Sequence, residues 1–254
     1  MEEFKQWYDD QNRVFTREFR LFFSQCTIKH EMSFCEMLKL TSDIAVEDYR
    51  GRGISIKVLA DHDIFILVSR MALRFHRMPV GDETIQLSTW EETPDPFQLR
   101  RAYEFRDING IPLISSISSW ILINPVSRRI MKTKDFTLRK EPVYSPEHDC
   151  MEYGKIIVPA ELVQLNQRPI CYSDLDGNGH TNNSRYGAFT IDCLPETYRD
   201  KQFTDFRINF VKEAVIGDML QMYGAFDDNT HKITVVGKKI SNGETAFESE
   251  LFYK

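Results

Sequence analysis

The order of elements along the chain, a helical stretch followed by strand-like runs, occurs twice and leaves few folds to choose from. In the first half, Ser33-Phe-Cys-Glu36 has the form of a capping box and predicts a helix that stops near Gly51 and Gly53. In the second half, a helix is predicted over residues 183–193, stopped near Pro195. A helix followed by several antiparallel strands is an α+β unit, so the predicted fold class is α+β. The predicted strands cover residues 15–28, 54–59, 64–75, 84–90, 98–105, 113–123, 205–212, 219–226, 232–240 and 245–253.

The spacing of turn-forming pairs suggests that the two halves are copies of one unit. Two such pairs are separated by nearly equal distances in each half, namely Gly81-Asp82 with Asn109-Gly110 and Gly217-Asp218 with Asn242-Gly243. Any antiparallel sheet needs turns, which accounts for part of the match. The predicted organisation is an amino-terminal unit, a linker and a carboxy-terminal unit, over residues 1–126, 127–152 and 153–254.

Charge and composition exclude several classes of protein. Apolar residues make up 42% of the 254 residues, which is enough for a core, and a net charge of −6 argues against nucleic-acid binding. The longest apolar run, residues 64–68, is too short to cross a bilayer, and no secretion signal is recognisable. We therefore expect a soluble cytoplasmic protein without membrane contact. Five cysteines without a C-x-x-C pair predict reduced thiols, with neither disulfides nor a zinc site.

The predicted linker is rich in proline and in basic residues. A run of charges in a connector is usually a solvated segment. On an acidic protein, the same residues would form a local positive patch that steers an acidic partner. The basic residues concerned are Arg128, Arg129, Lys132, Lys134, Arg139 and Lys140.

The second predicted helix is preceded by a strongly polar stretch, Asp174-Leu-Asp-Gly-Asn-Gly-His-Thr-Asn-Asn-Ser-Arg-Tyr186. Turn preferences account for Asp174 and the two glycines. They leave Asp176, Asn178 and His180, which alternate along the chain and would point to one side of an extended backbone. The stretch also runs into a helix amino terminus, where unpaired N–H groups favour negative charge. These features predict a site that stabilises an oxyanion.

Two other interpretations fit parts of this stretch. Asp174, Asp176 and Asn178 match positions 1, 3 and 5 of an EF-hand calcium loop, but the twelfth position, which requires a bidentate acid, is Arg185. The stretch also fits a well-capped turn that has no chemical role. Because the twelfth ligand is missing and no cofactor motif occurs elsewhere, we predict neither a metal nor a cofactor.

The pattern D-L-D-x-N-x-H-x-N-N-x-x-Y in this stretch resembles the carboxy-terminal signature of the acyl-acyl-carrier-protein (acyl-ACP) thioesterases. Phe210-Val-Lys-Glu213, followed by Gly217-Asp218, resembles the second catalytic segment of that family. Plant members commonly have a cysteine after the glutamate, and here the residue is Ala214, so no scheme that needs this thiol applies. The resemblance implies a double hot-dog fold, two tandem helix-wrapped antiparallel sheets. The first would supply the acyl-chain pocket and the second the catalytic residues.

The resemblance also implies hydrolysis of fatty acyl-ACP thioesters by Asp176, Asn178, His180 and Glu213, with ACP as the partner. Thioester hydrolysis needs a base for the attacking water and donors for the developing oxyanion. Glu213, expected to be partly buried near a turn, would be the base, or would attack directly and form an anhydride. Asn178 would orient the water or bind the oxyanion, and His180 would share proton transfer. Asp176 would fix the amide or the imidazole.

Three points stay open at the level of sequence. Coenzyme A would be the carrier in an acyl-CoA thioesterase of the same fold, and a module that binds acyl chains without hydrolysis would need the same core. Two fused units satisfy the pairing that single hot-dog domains obtain as dimers, so a monomer and a homodimer both fit. One active site per chain is expected, because Lys29-His30-Glu31-Met32 precedes the first helix in place of the acid, amide and histidine.

Overall fold

The computed structural model describes residues 5–254, which form two compact units of helix and antiparallel sheet, as the predicted α+β class requires. The first unit comprises the chain up to Met32 together with Leu40–Glu152, and the second comprises Ser33–Lys39 together with Tyr153–Lys254. The predicted linker, residues 127–152, groups with the first unit, and the first four residues of the predicted unit 1–126 lie outside the described residues. None of the helices within residues 5–254 has both the length and the apolar character needed to span a bilayer.

The first unit is built from the strands β1 (Lys5–Tyr8), β2 (Phe15–Arg20), β3 (Phe65–Phe75), β4 (Thr84–Asp95), β5 (Gln98–Asp107), β6 (Pro112–Asn124) and β7 (Arg129–Ile130). They pair antiparallel in the order β1-β2-β4-β5-β6-β3, and β7 pairs with β6. Helix α1 (Phe34–Gly51) begins where predicted, because the Ser33 hydroxyl accepts the Glu36 N–H at 3.2 Å. Helix α2 spans Ile56–Asp61. The core cluster of this unit consists of Tyr49, Ile54, Ile64, Leu99, Leu122 and Phe136.

The second unit is built from the strands β8 (Val163–Pro169), β9 (Phe203–Phe210), β10 (Met219–Asp227), β11 (Lys232–Lys239) and β12 (Thr245–Tyr253), with helices α3 (Arg185–Asp192) and α4 (Glu196–Arg199). The strands pair antiparallel in the order β9-β12-β11-β10-β8. Helix α3 packs on this sheet through Tyr186, whose ring centroid lies 4.9 Å from that of Phe247. A Cβ atom on Gly187 would lie 2.9 Å from Leu38 Cδ1 and 3.1 Å from the backbone oxygen of Phe34, so any larger residue would crowd the place where α3 meets residues 33–39.

Three local predictions differ from the structure. Residues 54–59, predicted as a strand, lie largely in α2, because the Ser55 hydroxyl accepts the Val58 N–H at 3.2 Å and caps a helix. The strand predicted over residues 15–28 ends at Arg20, and the chain then turns into a short 3₁₀ helix. Strand β8 is missing from the prediction, because its mostly exposed residues show no apolar alternation.

The segment 127–152 is packed on the first unit along part of its length instead of being solvated throughout. Phe136 belongs to the core cluster, and Arg139 Nε lies 2.6 Å from a carboxylate oxygen of Glu91. Asp149 pairs with Arg74 at 2.5 Å. The remaining basic residues of the segment are exposed, so positive charge is presented to solvent by Arg128, Arg129, Lys132, Lys134 and Lys140.

Candidate active site

The polar stretch before α3 folds into a tight hairpin turn. The Asp176 N–H donates to His180 O at 2.8 Å, and the Gly179 N–H donates to Asp176 O at 3.0 Å. Gly179 has a φ of 80°, in the left-handed region that glycine adopts without strain. This is the three-residue hairpin loop in which a turn is followed by a glycine bulge. The expectation that Asp176, Asn178 and His180 lie on an extended backbone is therefore wrong, because the chain reverses between the first and the last of them.

The Asp176 carboxylate stabilises this turn by accepting two backbone hydrogen bonds. Its Oδ1 accepts the Asn178 N–H at 2.8 Å and the His180 N–H at 3.3 Å. An aspartate that bonds the backbone two residues on is typical of a turn. Asp176 thus contacts the backbones of the two other predicted residues, whereas the prediction had it fixing their side chains. These two bonds are those of a well-capped turn, and the side chains of Asn178 and His180 project from that turn.

A second loop, between β9 and β10, brings Glu213 to the hairpin. Ala214 O accepts the Thr181 N–H at 2.8 Å, and His180 lies opposite Val215 in an isolated antiparallel bridge. His180 Nε2 lies 3.3 Å from Glu213 Oε2. The structure therefore brings the side chains of two of the four predicted residues, His180 and Glu213, into direct contact.

The exposure of these groups differs from the expectation. The side chain of Glu213 is 61% exposed and that of His180 is 39% exposed, so the partial burial predicted for the glutamate is wrong. Glu213 follows β9 on an open loop, which leaves its carboxylate in solvent. Asn178 is also exposed, at the tip of the hairpin, and its side-chain amide has no hydrogen-bond partner within residues 5–254. An amide without a protein partner can bond to a ligand.

The backbone N–H groups at the start of α3 are already in use. The Ser184 N–H donates to the side chain of Asn182 at 3.0 Å, and the Arg185 N–H donates to Asn182 O at 2.9 Å. The Gly187 N–H donates to Ser184 O at 3.1 Å. The chain makes turns of i to i+3 type before the helix begins, and these turns consume the donors. The expectation that these helix N–H groups stabilise an oxyanion is therefore wrong.

Asp174 fixes both ends of the polar stretch, a role beyond the turn preference that the sequence indicated. It is fully buried, and its carboxylate accepts the Cys171 N–H at 3.0 Å and Arg185 Nε at 2.8 Å. Burial by itself would raise the pKa of Asp174, but the Cys171 N–H and the Arg185 guanidinium outweigh it and hold that pKa below its ordinary value. Positions 1 and 12 of the calcium-loop alternative are thus joined in an ion pair. Among residues 5–254, no group of three or more metal-binding side chains occurs.

Comparisons with known proteins agree with the resemblance noted in the sequence. The family model described as the acyl-ACP thioesterase N-terminal domain matches residues 12–139, and the model of the C-terminal domain matches residues 160–250. The chloroplastic oleoyl-acyl carrier protein thioesterase of Coriandrum sativum is 22% identical over 199 residues, which cover 72% of this chain and 53% of that protein. The chain spans about half the length of the curated relatives that it matches.

Two solved structures share the fold over nearly the whole chain. An acyl-ACP thioesterase from Bacteroides thetaiotaomicron has a TM-score of 0.81 at 23% identity, covering 96% of this chain and 99% of its own. The 12:0-ACP thioesterase from Umbellularia californica has a TM-score of 0.81 at 16% identity, covering 95% of this chain and 97% of its own. At such identities the likeness is evidence about the fold.

Proposed function

Since the chain belongs to the acyl-ACP thioesterase family and has its double hot-dog fold, we propose that it hydrolyses fatty acyl-ACP thioesters to a free fatty acid and the carrier thiol. The observation that carries the proposal is the 3.3 Å contact between His180 Nε2 and Glu213 Oε2. When a carboxylate and an imidazole are in contact and open to solvent, the carboxylate can take a proton from water and the imidazole can deliver a proton to a leaving group.

In the proposed reaction, Glu213 removes a proton from water as the water oxygen attacks the thioester carbonyl carbon. The carbon–sulfur bond then breaks, the proton held by Glu213 passes to His180 across their contact, and His180 delivers it to the leaving thiolate of the carrier, so that both residues return to their starting states. In the alternative route, the Glu213 carboxylate attacks the carbonyl carbon itself and expels the carrier thiolate, which takes a proton from His180. Water then hydrolyses the resulting anhydride to the fatty acid and the free Glu213 carboxylate, and the proton released restores His180. The open position of the carboxylate is compatible with both routes.

Asn178 is proposed to bind the oxyanion that forms on the carbonyl. Its amide has no partner within the described chain and projects from the hairpin two residues before His180. An oxyanion donor has to be held in place before the reaction begins. The two hydrogen bonds from the backbone of the hairpin to the Asp176 carboxylate supply that rigidity, so Asp176 is proposed to act through the positions of Asn178 and His180.

The acyl chain is proposed to bind in the first unit, as the resemblance implies. In support, this unit has Thr27, Lys29 and Glu31 at the positions of Asp176, Asn178 and His180, and these residues do not reproduce the candidate catalytic set. If the assignment is correct, substitutions of buried residues in residues 5–126 shift the preferred chain length. Glu213→Gln, by contrast, lowers the rate at every chain length.

The carrier is proposed to be the acyl carrier protein, and the exposed basic residues of segment 127–152 support an acidic partner. They have no carboxylate partner within residues 5–254, so their charge is available to one. Charge complementarity of this kind acts mainly on association. Reversing Arg129 and Lys132 to glutamate should raise KM for acyl-ACP and leave KM for acyl-CoA unchanged; equal effects on both carriers would remove this support.

The decisive experiment measures free-thiol release from acyl-ACP and acyl-CoA over a range of chain lengths. Glu213→Gln and Asn178→Ala should each lower kcat by about 10²-fold or more, the size expected for loss of a base or an oxyanion donor. Glu196→Gln and Asn242→Ala are matched controls, because both residues are exposed in the same unit, and Asn242 also precedes a glycine with positive φ.

The outcome separates the candidates. Hydrolysis of acyl-ACP that depends on Glu213 supports the proposal, and a clear preference for acyl-CoA would make the chain an acyl-CoA thioesterase. Saturable binding of acyl chains without thiol release would leave a non-catalytic binding module. Full activity in both Glu213→Gln and Asn178→Ala would remove the proposed active site.

A further inference from the structure

Strand β8 has an extra residue where it pairs with β10. Gln167 lies opposite Gln221, and Gln164 lies opposite Tyr223, so three steps along β8 match two along β10. In a regular strand, side chains three positions apart point to opposite faces of the sheet. The bulge turns both glutamines of β8 towards Gln221 instead. Each donates its Nε2 to Gln221 Oε1, at 2.8 Å from Gln164 and at 3.0 Å from Gln167.

The buried side chain of Gln221 fixes the orientation of the two other amides. It is 5% exposed, and its Nε2 donates to Leu165 O at 3.3 Å and to Asn166 O at 3.2 Å, the carbonyls of the bulge. Because a carbonyl can only accept, the Gln221 amide has to present its nitrogen to the bulge and its oxygen to Gln164 and Gln167. Within residues 5–254, the Oε1 atoms of these two glutamines have no hydrogen-bond partner.

A pocket of about 320 Å³ lies beside these glutamines. Its walls include Gln164, Gln167, Tyr223, Lys238 and Lys239. Lys238 Nζ lies 5.8 Å from the centroid of the Tyr223 ring and pairs with no carboxylate within the described part of the chain. The volume falls in the range of small-molecule sites, roughly 300–1,000 Å³. The pocket therefore offers two amide oxygens to N–H donors and an ammonium group to an anion.

The pocket adjoins the loop that carries Glu213. Lys239, in its wall, has its Nζ 3.2 Å from Asp218 Oδ2, and the same oxygen accepts the Val215 N–H at 3.0 Å. Val215 lies opposite His180 in the isolated bridge. The pocket is thus joined by one ion pair to the loop on which the candidate catalytic residues meet.

The first unit fills the corresponding place with its own chain. Gln86 on β4 is the counterpart of Gln221, since each stands three residues after the carboxylate that accepts an N–H of its loop. Strands β2 and β4 pair without a bulge, and Gln86 Nε2 donates to Glu18 at 3.0 Å. The extended strand β1 lies along β2, and Lys5 Nζ donates to Glu18 at 2.8 Å. Within residues 5–254, β8 has no such neighbour, so its acceptors are left for a ligand.

We propose that this pocket binds the arm of the carrier, an extended chain that runs from the thiol through two amide groups to a phosphate. Amide N–H groups of the arm donate to the Oε1 atoms of Gln164 and Gln167, and Lys238 binds the phosphate. The carrier protein and coenzyme A hold their acyl groups on the same kind of arm, so the pocket serves either carrier. The choice of ligand rests on the proposed function and deepens it, because hydrolysis requires the arm to be held while the thioester lies at Glu213 and His180.

Three thioesters of one fatty acid test the parts of the arm separately. Acyl-phosphopantetheine has the amides and the phosphate, acyl-pantetheine lacks the phosphate, and acyl-mercaptoethanol lacks both. Lys238→Gln should raise KM for acyl-phosphopantetheine by about 10-fold and leave KM for the other two unchanged, as expected for loss of a hydrogen bond to a charged group. Since only the binding of a remote part of the substrate is removed, kcat should stay within about 2-fold. Equal rises in KM for all three thioesters, or no rise for any, would overturn the inference.

The double variant Gln164→Leu/Gln167→Leu tests the amide groups. It should raise KM by about 10-fold for acyl-phosphopantetheine and for acyl-pantetheine, and leave KM for acyl-mercaptoethanol unchanged. The double variant also deprives Gln221 Oε1 of its partners and should lose stability. Activity towards acyl-mercaptoethanol therefore reports whether the folded site persists. If the double variant does not fold, Lys238→Gln, which leaves the bulge intact, decides the question alone.

Lys201→Gln is the matched control for Lys238→Gln. Lys201 Nζ also lies over a tyrosine ring of the second unit, 4.9 Å from the centroid of Tyr253, and it is not in the wall of the pocket. The control should leave every KM within about 2-fold of the parent. A rise in KM for acyl-phosphopantetheine equal to that in Lys238→Gln would show a general effect of charge and overturn the inference.

Other occupants of the β8 edge give different results. If Lys238→Gln raises KM for acyl-ACP and not for acyl-phosphopantetheine, the pocket contacts the surface of the carrier protein, and the assignment to the arm is wrong. If sedimentation shows an oligomer of the parent that dissociates in Gln164→Leu/Gln167→Leu, a second copy of the chain occupies the edge. That result would also overturn the inference.

Binding of phosphopantetheine without an acyl group separates failure of the inference from failure of the proposed function. In a calorimetric titration, Kd should rise by about 10-fold in Lys238→Gln and stay unchanged in Glu213→Gln. Equal Kd values in the parent and Lys238→Gln, or no binding to the parent, overturn the inference even if hydrolysis depends on Glu213. Full hydrolytic activity in Glu213→Gln overturns the proposed function, and a Kd that depends on Lys238 then still supports the pocket.

Discussion

The same loop occurs once in each unit, and only one copy has the candidate catalytic residues. In the first unit, the Thr27 N–H donates to Glu31 O at 2.7 Å, and the His30 N–H donates to Thr27 O at 2.9 Å. In the second unit, the same two bonds, at 2.8 and 3.0 Å, close the turn from Asp176 to His180. A positive φ occurs at the same place in both, 59° and 80°. The two backbones therefore follow one path.

Each loop also joins a later segment in the same way. In the first unit, the Met32 N–H donates to Pro79 O at 2.8 Å, and the Val80 N–H donates to the Glu83 carboxylate at 3.0 Å. In the second unit, the Thr181 N–H donates to Ala214 O at 2.8 Å, and the Val215 N–H donates to the Asp218 carboxylate at 3.0 Å. Asp218 thus corresponds to Glu83, whereas the spacing of the turn-forming pairs in the sequence aligns it with Asp82, one residue earlier.

The difference between the loops lies in their side chains. The first unit has a hydroxyl, an ammonium, a carboxylate and a thioether where the second has an acid, an amide, an imidazole and an acid. The pairs are Thr27 and Asp176, Lys29 and Asn178, Glu31 and His180, and Met78 and Glu213. The shape of the loop therefore does not require the candidate catalytic set, and the fold forms that shape with either set. The candidate catalytic residues of the second unit are therefore side chains added to a loop conformation that both units share.

Exchanging the residues at the Glu213 position tests this comparison most severely. Glu213→Met, which gives the second loop the residue of the first, should lower kcat by about 10²- to 10⁴-fold, because the base or nucleophile is lost. Met78→Glu in the first unit should leave the rate unchanged, since Glu31 in place of a histidine provides no proton donor. The measurement is single-turnover thiol release. A Met78→Glu variant that rescues Glu213→Met would show that the first loop is a competent site.

Substitution of Asp176 should lower kcat less than substitution of Glu213 does. Asp176→Ala removes the acceptor of two backbone N–H groups and should lower kcat by about 10-fold through loosening of the hairpin. Asp176→Asn keeps a side-chain oxygen and should stay within about 3-fold of the parent. Thr27→Ala, the first-unit counterpart, should have no effect on the rate. A large loss in Asp176→Asn would mean that the charge of Asp176 takes part in the reaction, beyond holding the turn.

The buried acid of the second loop should affect stability more than rate. Asp174 accepts the Cys171 N–H, as Gln25 accepts the Phe22 N–H at 2.8 Å in the first unit, and the Asp174 carboxylate also pairs with Arg185 at 2.8 Å. Asp174→Gln should lower the free energy of unfolding by about 1–3 kcal/mol at pH 7 and change kcat least of the three substitutions. Equilibrium unfolding in urea measures the loss.

The pH dependence of this stability follows from the depressed pKa of Asp174. Its contribution is complete above the pKa of an unfolded aspartate, about 3.9, and is lost as the pH falls through the lower pKa of the folded state. The difference in stability between the parent and Asp174→Gln should therefore shrink as the pH is lowered below about 4. A difference that is constant over the acid range would contradict the assignment of the pKa shift to this ion pair.

Residues that are close together in the sequence determine the helix starts, the turns and the fold class of this protein. The capping box at Ser33 starts α1, the polar stretch from Asp174 forms a turn, and the order of helices and strands defines the α+β class, because caps, turns and side-chain periodicity depend on neighbours a few positions apart. The strand predicted over residues 54–59 failed for the same kind of reason, since the Ser55 cap outweighed the β-branched residues.

Only the tertiary structure decided how the candidate site is assembled. Glu213 meets His180 because the bridge from Thr181 to Ala214 joins segments that are 33 positions apart, and sequence patterns do not specify such a long-range register. The same packing decides whether a polar group is buried or exposed. Asp174 is buried and Glu213 is mostly exposed, although both are acids in polar loops. Burial and contact depend on how the sheet and the helix pack together, so a short stretch of sequence does not specify them.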